Sequence, residues 1–314
     1  MTTPLTCSAF SHSSGEQLFA TATRADTWFL LEHPETYGDK ALLESSLPDA
    51  IKSRLEAAAG AVQNGRVQLI KRGSQPSLGG RRFYIAVNHE EAPHLYEFRL
   101  DRVEDLLELD LEAIAREDLA FRSRDRTEPI FLVCTNGKRD PCCSSLGLPL
   151  YREMRRTHGD AVWQTSHVGG HRFAPNIVAL PSGAFYGYAH PDTAADITAA
   201  EQAGRVHLRS YRGRSCYAAP VQAADAFLRR TTGHDDLLRY RLAEVEPAGD
   251  SGWTCRFTDR FDETVYCVRI RSEPAAVLVQ KSCREDGPVP LSQFRLERIE
   301  QFDAKTQRRK ENLF

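Results

Sequence analysis

The stretch that most constrains this chain begins at Glu128. EPIFLVC (128–134) is a short, unbroken apolar run, the mark of a strand buried on both faces. A turn-rich loop, TNGKRDP, follows directly. Behind it the patterns change type in sequence: a helix over 146–159, a strand within 160–171, two strands over 173–189 joined at Pro-Ser-Gly, and a helix over 192–204. Strand, helix, strand, strand, strand, helix is an α/β order.

That order matches a thioredoxin-like layer, with the cysteine loop where such folds keep their redox chemistry. The residues ahead of it also alternate. After a polar lead-in over 1–18, TWFLLEHP (27–34) reads as a strand and 47–62 as a helix, through Ile51, Leu55 and Ala58 or Ala59. Strands are expected over 67–73, 81–89 and 95–100, and a helix over 103–117. SRDRTEP (123–129), polar and ending in proline, is the expected boundary. Beyond 210 come a loop, a helix over 219–231, and four strand patterns (WTCRFTD, TVYCVRIRS, AAVLVQKSC, QFRLERIE) that predict an antiparallel β extension. The tail, DAKTQRRKENLF, is expected to fray. The fold class is thus α/β: a smaller segment over 1–125, a thioredoxin-like domain over 126–232, and a β-rich extension over 233–314. The first two segments could be related units, although the repeat signal is weak.

Bulk properties narrow the function. With 41% hydrophobic and 27% charged residues among 314, and a net charge of −2, the chain is an ordinary globular protein without a basic nucleic-acid footprint. No run approaches the roughly 20 apolar residues that span a bilayer. The N-terminus lacks the charged and apolar regions of a secretory signal, so a cytoplasmic location is expected. In that compartment eight cysteines are thiols or metal ligands rather than a disulfide framework.

Two groups carry the chemistry. CTNGKRDPCC places Cys134 at the C-terminal end of a strand, where α/β folds position ligands, with Cys142 and Cys143 behind it. Adjacent residues point in different directions, so at most one of the pair faces Cys134. HVGGH spaces His167 and His171 four apart, and its two glycines favour a tight turn over a helix. Thiolate and imidazole converging on one point suit zinc, iron or an iron–sulfur cluster. A phosphatase loop is excluded, since Arg139 follows Cys134 too closely and Asp140 would repel phosphate. A C-x-x-C redox pair is absent. A Cys–His hydrolase leaves the second histidine unexplained. A Cys2His2 zinc site would stretch the usual cysteine spacing. Cys7, Cys216, Cys255, Cys267 and Cys283 read as small buried hydrophobes.

CTNGKRDPCC, then HVGGHRFAPN, then an aliphatic strand ending LPSG, resembles the sucrase/ferredoxin-like family. The opening GEQLFATATRADTWFLLEHPETYGDKAL does so too, and the likeness spans roughly 15–215. The resemblance implies a thioredoxin-like ferredoxin whose [2Fe–2S] cluster is held by Cys134, Cys143, His167 and His171. Cys142 then falls where the family tolerates other residues. It implies a one-electron carrier with no substrate chemistry of its own, served by redox partner proteins, a reductase and an acceptor, with neither nucleic acid nor membrane involved. Imidazoles in place of two thiolates make such a cluster less negative. In Rieske centres that exchange moves the potential from about −400 mV to a range of about −150 to +300 mV, so a relatively high potential is expected, with possible coupling to protons. Thr135, Arg139, Asp140 and Arg172 are candidates to orient the ligands. Arg152, Arg155 and Arg156 are a solvated helix face or a docking patch. The alternatives are a zinc-binding or cluster-free thioredoxin-like protein, and a thiol sensor working through Cys142 and Cys143.

Overall fold

The computed structural model describes residues 6–285 and 287–302. The tail expected to fray, 303–314, lies outside them. The chain is α/β with a β-rich extension, as its patterns predict: a nine-stranded mixed sheet flanked by helices, followed by a separate four-stranded antiparallel sheet.

The first half is built from β1 (Thr27–Glu32), α2 (Asp49–Gly60), β2 (Gly65–Lys71), β3 (Arg81–Val87), β4 (His94–Leu100) and the short α3 (Leu111–Ala115), with α1 (Cys7–Ser14) ahead of them. The second half repeats that grammar. It runs β5 (Ile130–Cys134), α4 (Pro141–His158), β6 (Val162–Thr165), β7 (Ile177–Leu180), β8 (Ala184–Tyr186) and α5 (Pro191–Gln202). In each half the first two strands are parallel across a helical crossover, and the third and fourth add antiparallel on the other side of the first. The strand orders β4-β3-β1-β2 and β6-β5-β7-β8 are therefore equivalent, and the halves meet where β2 pairs antiparallel with β6. The weak repeat in the sequence is a clear repeat of topology.

Side-chain alternation sorts the core. Along β5, Phe131 and Val133 face α4 and α5, packing on Leu150, Met154 and Ile197. Ile130, Leu132 and Cys134 face the opposite way, into a core shared with Trp28, Leu30, Tyr84 and Trp163. The ring contacts Trp28–Phe185 and Tyr84–Trp163, at 6.0 and 5.8 Å, join strands far apart in sheet order, so the sheet curls around this shared core. β9 (Tyr211–Arg214) closes its far edge. α6 (Ala219–Thr232) then packs on the second sheet, β10 (Tyr240–Pro247), β11 (Gly252–Asp259), β12 (Val265–Val279) and β13 (Val289–Phe302), through Leu228, Phe257, Val268 and Ile270.

Four local readings change. The polar lead-in contains α1, capped by Thr6 and anchored by a hydrogen bond from Ser8 Oγ to the Ala174 carbonyl, 2.6 Å. The helix expected over 103–117 divides, because Leu109 is extended and Asp110 caps a new start at α3. α4 begins at Pro141, not 146: Asp140 accepts from the Cys142 amide and Pro141 occupies the first turn. Residues 211–214 form a strand rather than a loop. Its charged Arg212 and Arg214 are fully buried, which reverses the usual polarity cue.

Candidate metal centre

Cys134 is the last residue of β5, turned into the shared core. α4 starts at Pro141 and comes back against the strand so closely that a Cβ on Gly147 would stand 2.2 Å from the Cys134 carbonyl. This approach sets the first turn of α4, with Cys142 and Cys143, at the end of β5. Successive helical residues differ by about 100° in direction, so the two sulfurs cannot share one target. Cys143 faces Cys134; Cys142 turns toward α1.

His167 and His171 come from the turn behind β6. Gly169 and Gly170 both take positive φ, and Gly170 lies so near the Arg212 guanidinium that a Cβ would meet it at 2.3 Å. The turn stacks the two imidazoles at 5.2 Å between ring centres, 28° from parallel. His167 Nδ1 is 3.9 Å from Cys134 Sγ and 3.7 Å from Cys143 Sγ, and the three donor atoms all lie within 4.8 Å of one another. Arg66 holds the His167 carbonyl at 2.9 Å. His171 stands one ring further out. Its Nε2 lies 2.9 Å from the Lys281 carbonyl, delivered by the loop between β12 and β13. A carbonyl only accepts, so Nε2 carries the proton and Nδ1 is the bare nitrogen. That Nδ1 is buried without a hydrogen-bond partner, 3.8 Å from Asp140 Oδ2.

The electrostatics suit a metal. A hydrogen bond from Cys143, seconded by His167, holds the Cys134 thiol well below the usual thiol range against the opposing effect of burial, and Cys143 as donor is pushed up. Burial lowers His171 despite Asp140, which favours the neutral ring. The Asp140 carboxyl, which burial alone would raise, is kept low by the amides of Cys142 and Cys283, by His171 and by Ser282.

Of the other expected neighbours, Thr135 donates to Gln164, Arg139 pairs with Asp39 at 3.2 Å and Arg172 with Glu16 at 2.7 Å; none of these bonds reaches a ligand. Arg155 and Arg156 pair with Asp160 and Glu153. Cys7 is buried among apolar neighbours, as expected, whereas the reading of Cys283 as a buried hydrophobe is corrected. Cys283 reaches the surface, and both thiols lie against Cys142. Nothing local marks them in the sequence beyond a count of eight cysteines without a disulfide framework.

Among the described residues no helix is long and apolar enough to cross a membrane. No solved structure matches the chain. A curated relative, "Altered inheritance of mitochondria protein 32" of Meyerozyma guilliermondii, is 29% identical over 113 residues, covering 33% of this chain and 38% of that protein. A family model aligns over residues 18–213, from the leader before β1 through both cysteine and histidine turns to β9, and by that match the chain belongs to the sucrase/ferredoxin-like family.

Proposed function

We propose that this protein is a one-electron carrier holding a [2Fe–2S] cluster on Cys134, Cys143, His167 and His171, and passing electrons between a reductase and an acceptor protein. The observation that carries the reading is His171 Nδ1: buried, unprotonated and without a hydrogen bond, on a ring stacked against the one that faces both thiols. An orphaned buried acceptor costs about 1–3 kcal/mol, a cost that coordination to a metal removes. Two thiolates and two imidazoles are a donor set for iron or zinc, and the family's name favours iron.

When bound, such a cluster supplies reversible one-electron chemistry at a potential raised by its neutral ligands. The chain's own residues set the conditions. The Lys281 carbonyl fixes the tautomer and tilt of His171, Arg66 holds the His167 backbone, and the shared core excludes water from both cysteines. His167 is half-buried and borders a groove of about 240 Å³ lined by Asp39, Arg66, Asn136 and Arg139, which gives a partner its approach. A thiol sensor built on Cys142 and Cys143 is disfavoured, because their sulfurs face different groups.

Anaerobically purified protein should be red-brown, with iron and acid-labile sulfide in equal amounts. Cys143→Ser should abolish both, and Cys142→Ser should leave them. Colourless protein holding zinc at these four residues refutes the carrier; loss of iron only in Cys142→Ser refutes the ligand assignment.

A further inference from the structure

A second group of sulfurs lies beside the first, on residues that the family match does not fully cover. Cys7 opens α1, Cys142 lies in the first turn of α4, and Cys283 sits in the loop between β12 and β13. Cys142 Sγ is 3.5 Å from Cys7 Sγ and 3.4 Å from Cys283 Sγ. The Asp140 carboxylate oxygens stand 3.7 and 3.9 Å from Cys7 Sγ, and one donor atom from each of the four residues lies within 4.8 Å of the others. We propose that these residues form a second, mononuclear metal site for a zinc-class divalent cation, with Cys7, Cys142 and Cys283 as thiolates and Asp140 closing the fourth position.

Distances decide between the possible uses of three thiols. Tetrahedral zinc with bonds of about 2.3 Å holds its sulfurs about 3.8 Å apart, so the observed spacing needs only a few tenths of an ångström of outward movement. A disulfide needs about 2.05 Å, and Cys142 is almost equidistant from two candidates, which leaves no unique pair and always one spare thiol. Apolar packing does not explain the group either. The hydrophobic cluster here consists of Cys7, Cys142 and Ala174.

The surroundings are those of a ligand shell. Asp140 accepts from the Cys142 amide at 2.9 Å, Ser282 Oγ at 2.9 Å and the Cys283 amide at 3.0 Å, and the Cys7 amide points at Cys283 Sγ at 3.3 Å. These bonds orient the donors and offset negative charge. Thiolates select a soft ion over magnesium or calcium, and Cys283 at the surface provides the entry path. On binding, each thiol gives its proton to solvent, and no electron moves.

The consequence is structural. The three thiolates come from α1, the start of α4 and the β12–β13 loop, so one ion staples these segments together. That loop carries the Lys281 carbonyl that orients His171.

The test is metal analysis of the full-length protein, purified anaerobically under reducing conditions, with Cys7→Ser, Cys283→Ser and Cys134→Ser made in parallel. The expected result is a single zinc per chain, lost in Cys7→Ser and Cys283→Ser and retained in Cys134→Ser. Cobalt-loaded protein should show thiolate-to-metal charge-transfer bands that Cys283→Ser lacks. Cys283 is at the surface, so this variant keeps the test alive if Cys7→Ser misfolds. Zinc unchanged in the folded Cys283→Ser variant overturns the proposal, as does a disulfide among these cysteines in freshly purified protein. Iron present with zinc absent sinks this site alone. Zinc lost on Cys283→Ser from iron-free protein supports it while sinking the carrier. Zinc lost only in Cys134→Ser sinks both.

Discussion

Glu201, on the inner face of α5, accepts a hydrogen bond from Tyr186 Oη in a region closed to water. Burial drives its carboxyl from 4.5 up to about 7, against the opposing effects of Tyr186, Ser182 and Arg214. A carboxyl raised on folding supports the fold in its protonated form. Its contribution is complete below about 4.5 and is lost as pH rises through about 7, an effect on the order of 3 kcal/mol. The urea midpoint should therefore fall between pH 5 and pH 8, and Glu201→Gln should remove that part of the fall. A variant whose midpoint drops as steeply as the parent's would contradict the assignment. The residue scale also shows what a sequence reveals of a site. Cys134, Cys143, His167 and His171 stand out because each lies in or beside a turn-rich stretch at a strand end, and strand ends are readable from local pattern. Cys7 and Cys283 are 276 residues apart and share no pattern. Their meeting is a product of tertiary packing.

At the level of elements, legibility follows the same rule. Strands such as β1 and β5 are buried on both faces and announce themselves as apolar runs. α1 and β9 do not, because each owes its existence to partners elsewhere: α1 to the turn at Ala174, β9 to polar groups that accept its buried arginines. Arg212 illustrates the dependence. It reaches Asn176 Oδ1 at 2.8 Å, the Gly169 carbonyl at 3.3 Å and Thr21 Oγ1 at 3.0 Å, so one side chain of β9 fastens the histidine turn to the leader before β1. The start of α4 was readable in principle, since Asp-Pro is a cap followed by a first-turn proline. The backbone of the histidine turn is hard to replace. Gly170→Ala combines an unfavourable positive φ with a methyl group 2.3 Å from the Arg212 guanidinium. It should cost about 1–3 kcal/mol in a urea titration, and should lower the occupancy of the proposed cluster by displacing His171. Unchanged stability and iron in Gly170→Ala would mean that the turn tolerates rearrangement and does not set the histidine geometry.

Across the whole molecule, two halves of equal topology share one interior. Their direct strand pairing is slight: in the seam between β2 and β6, Ile70 opposes Thr165 and Lys71 opposes Gln164. Hydrogen bonds there cannot make the halves a single cooperative unit. The shared core can, because Trp28 from the first half packs on Phe185 from the second, and Tyr84 on Trp163, with all four side chains fully buried. Neither half can open without exposing the other's tryptophan to water. Unfolding should accordingly be one transition for the curled sheet, with tryptophan fluorescence and far-UV circular dichroism coinciding at fixed metal content. Phe185→Ala should lower stability by about 3–5 kcal/mol, the usual cost of emptying a buried aromatic site, and should move both signals together. If the variant instead separates the two curves, the seam joins two independently stable units. The four residues proposed to hold the cluster would then belong to the second unit alone, and the first would serve only as its cover.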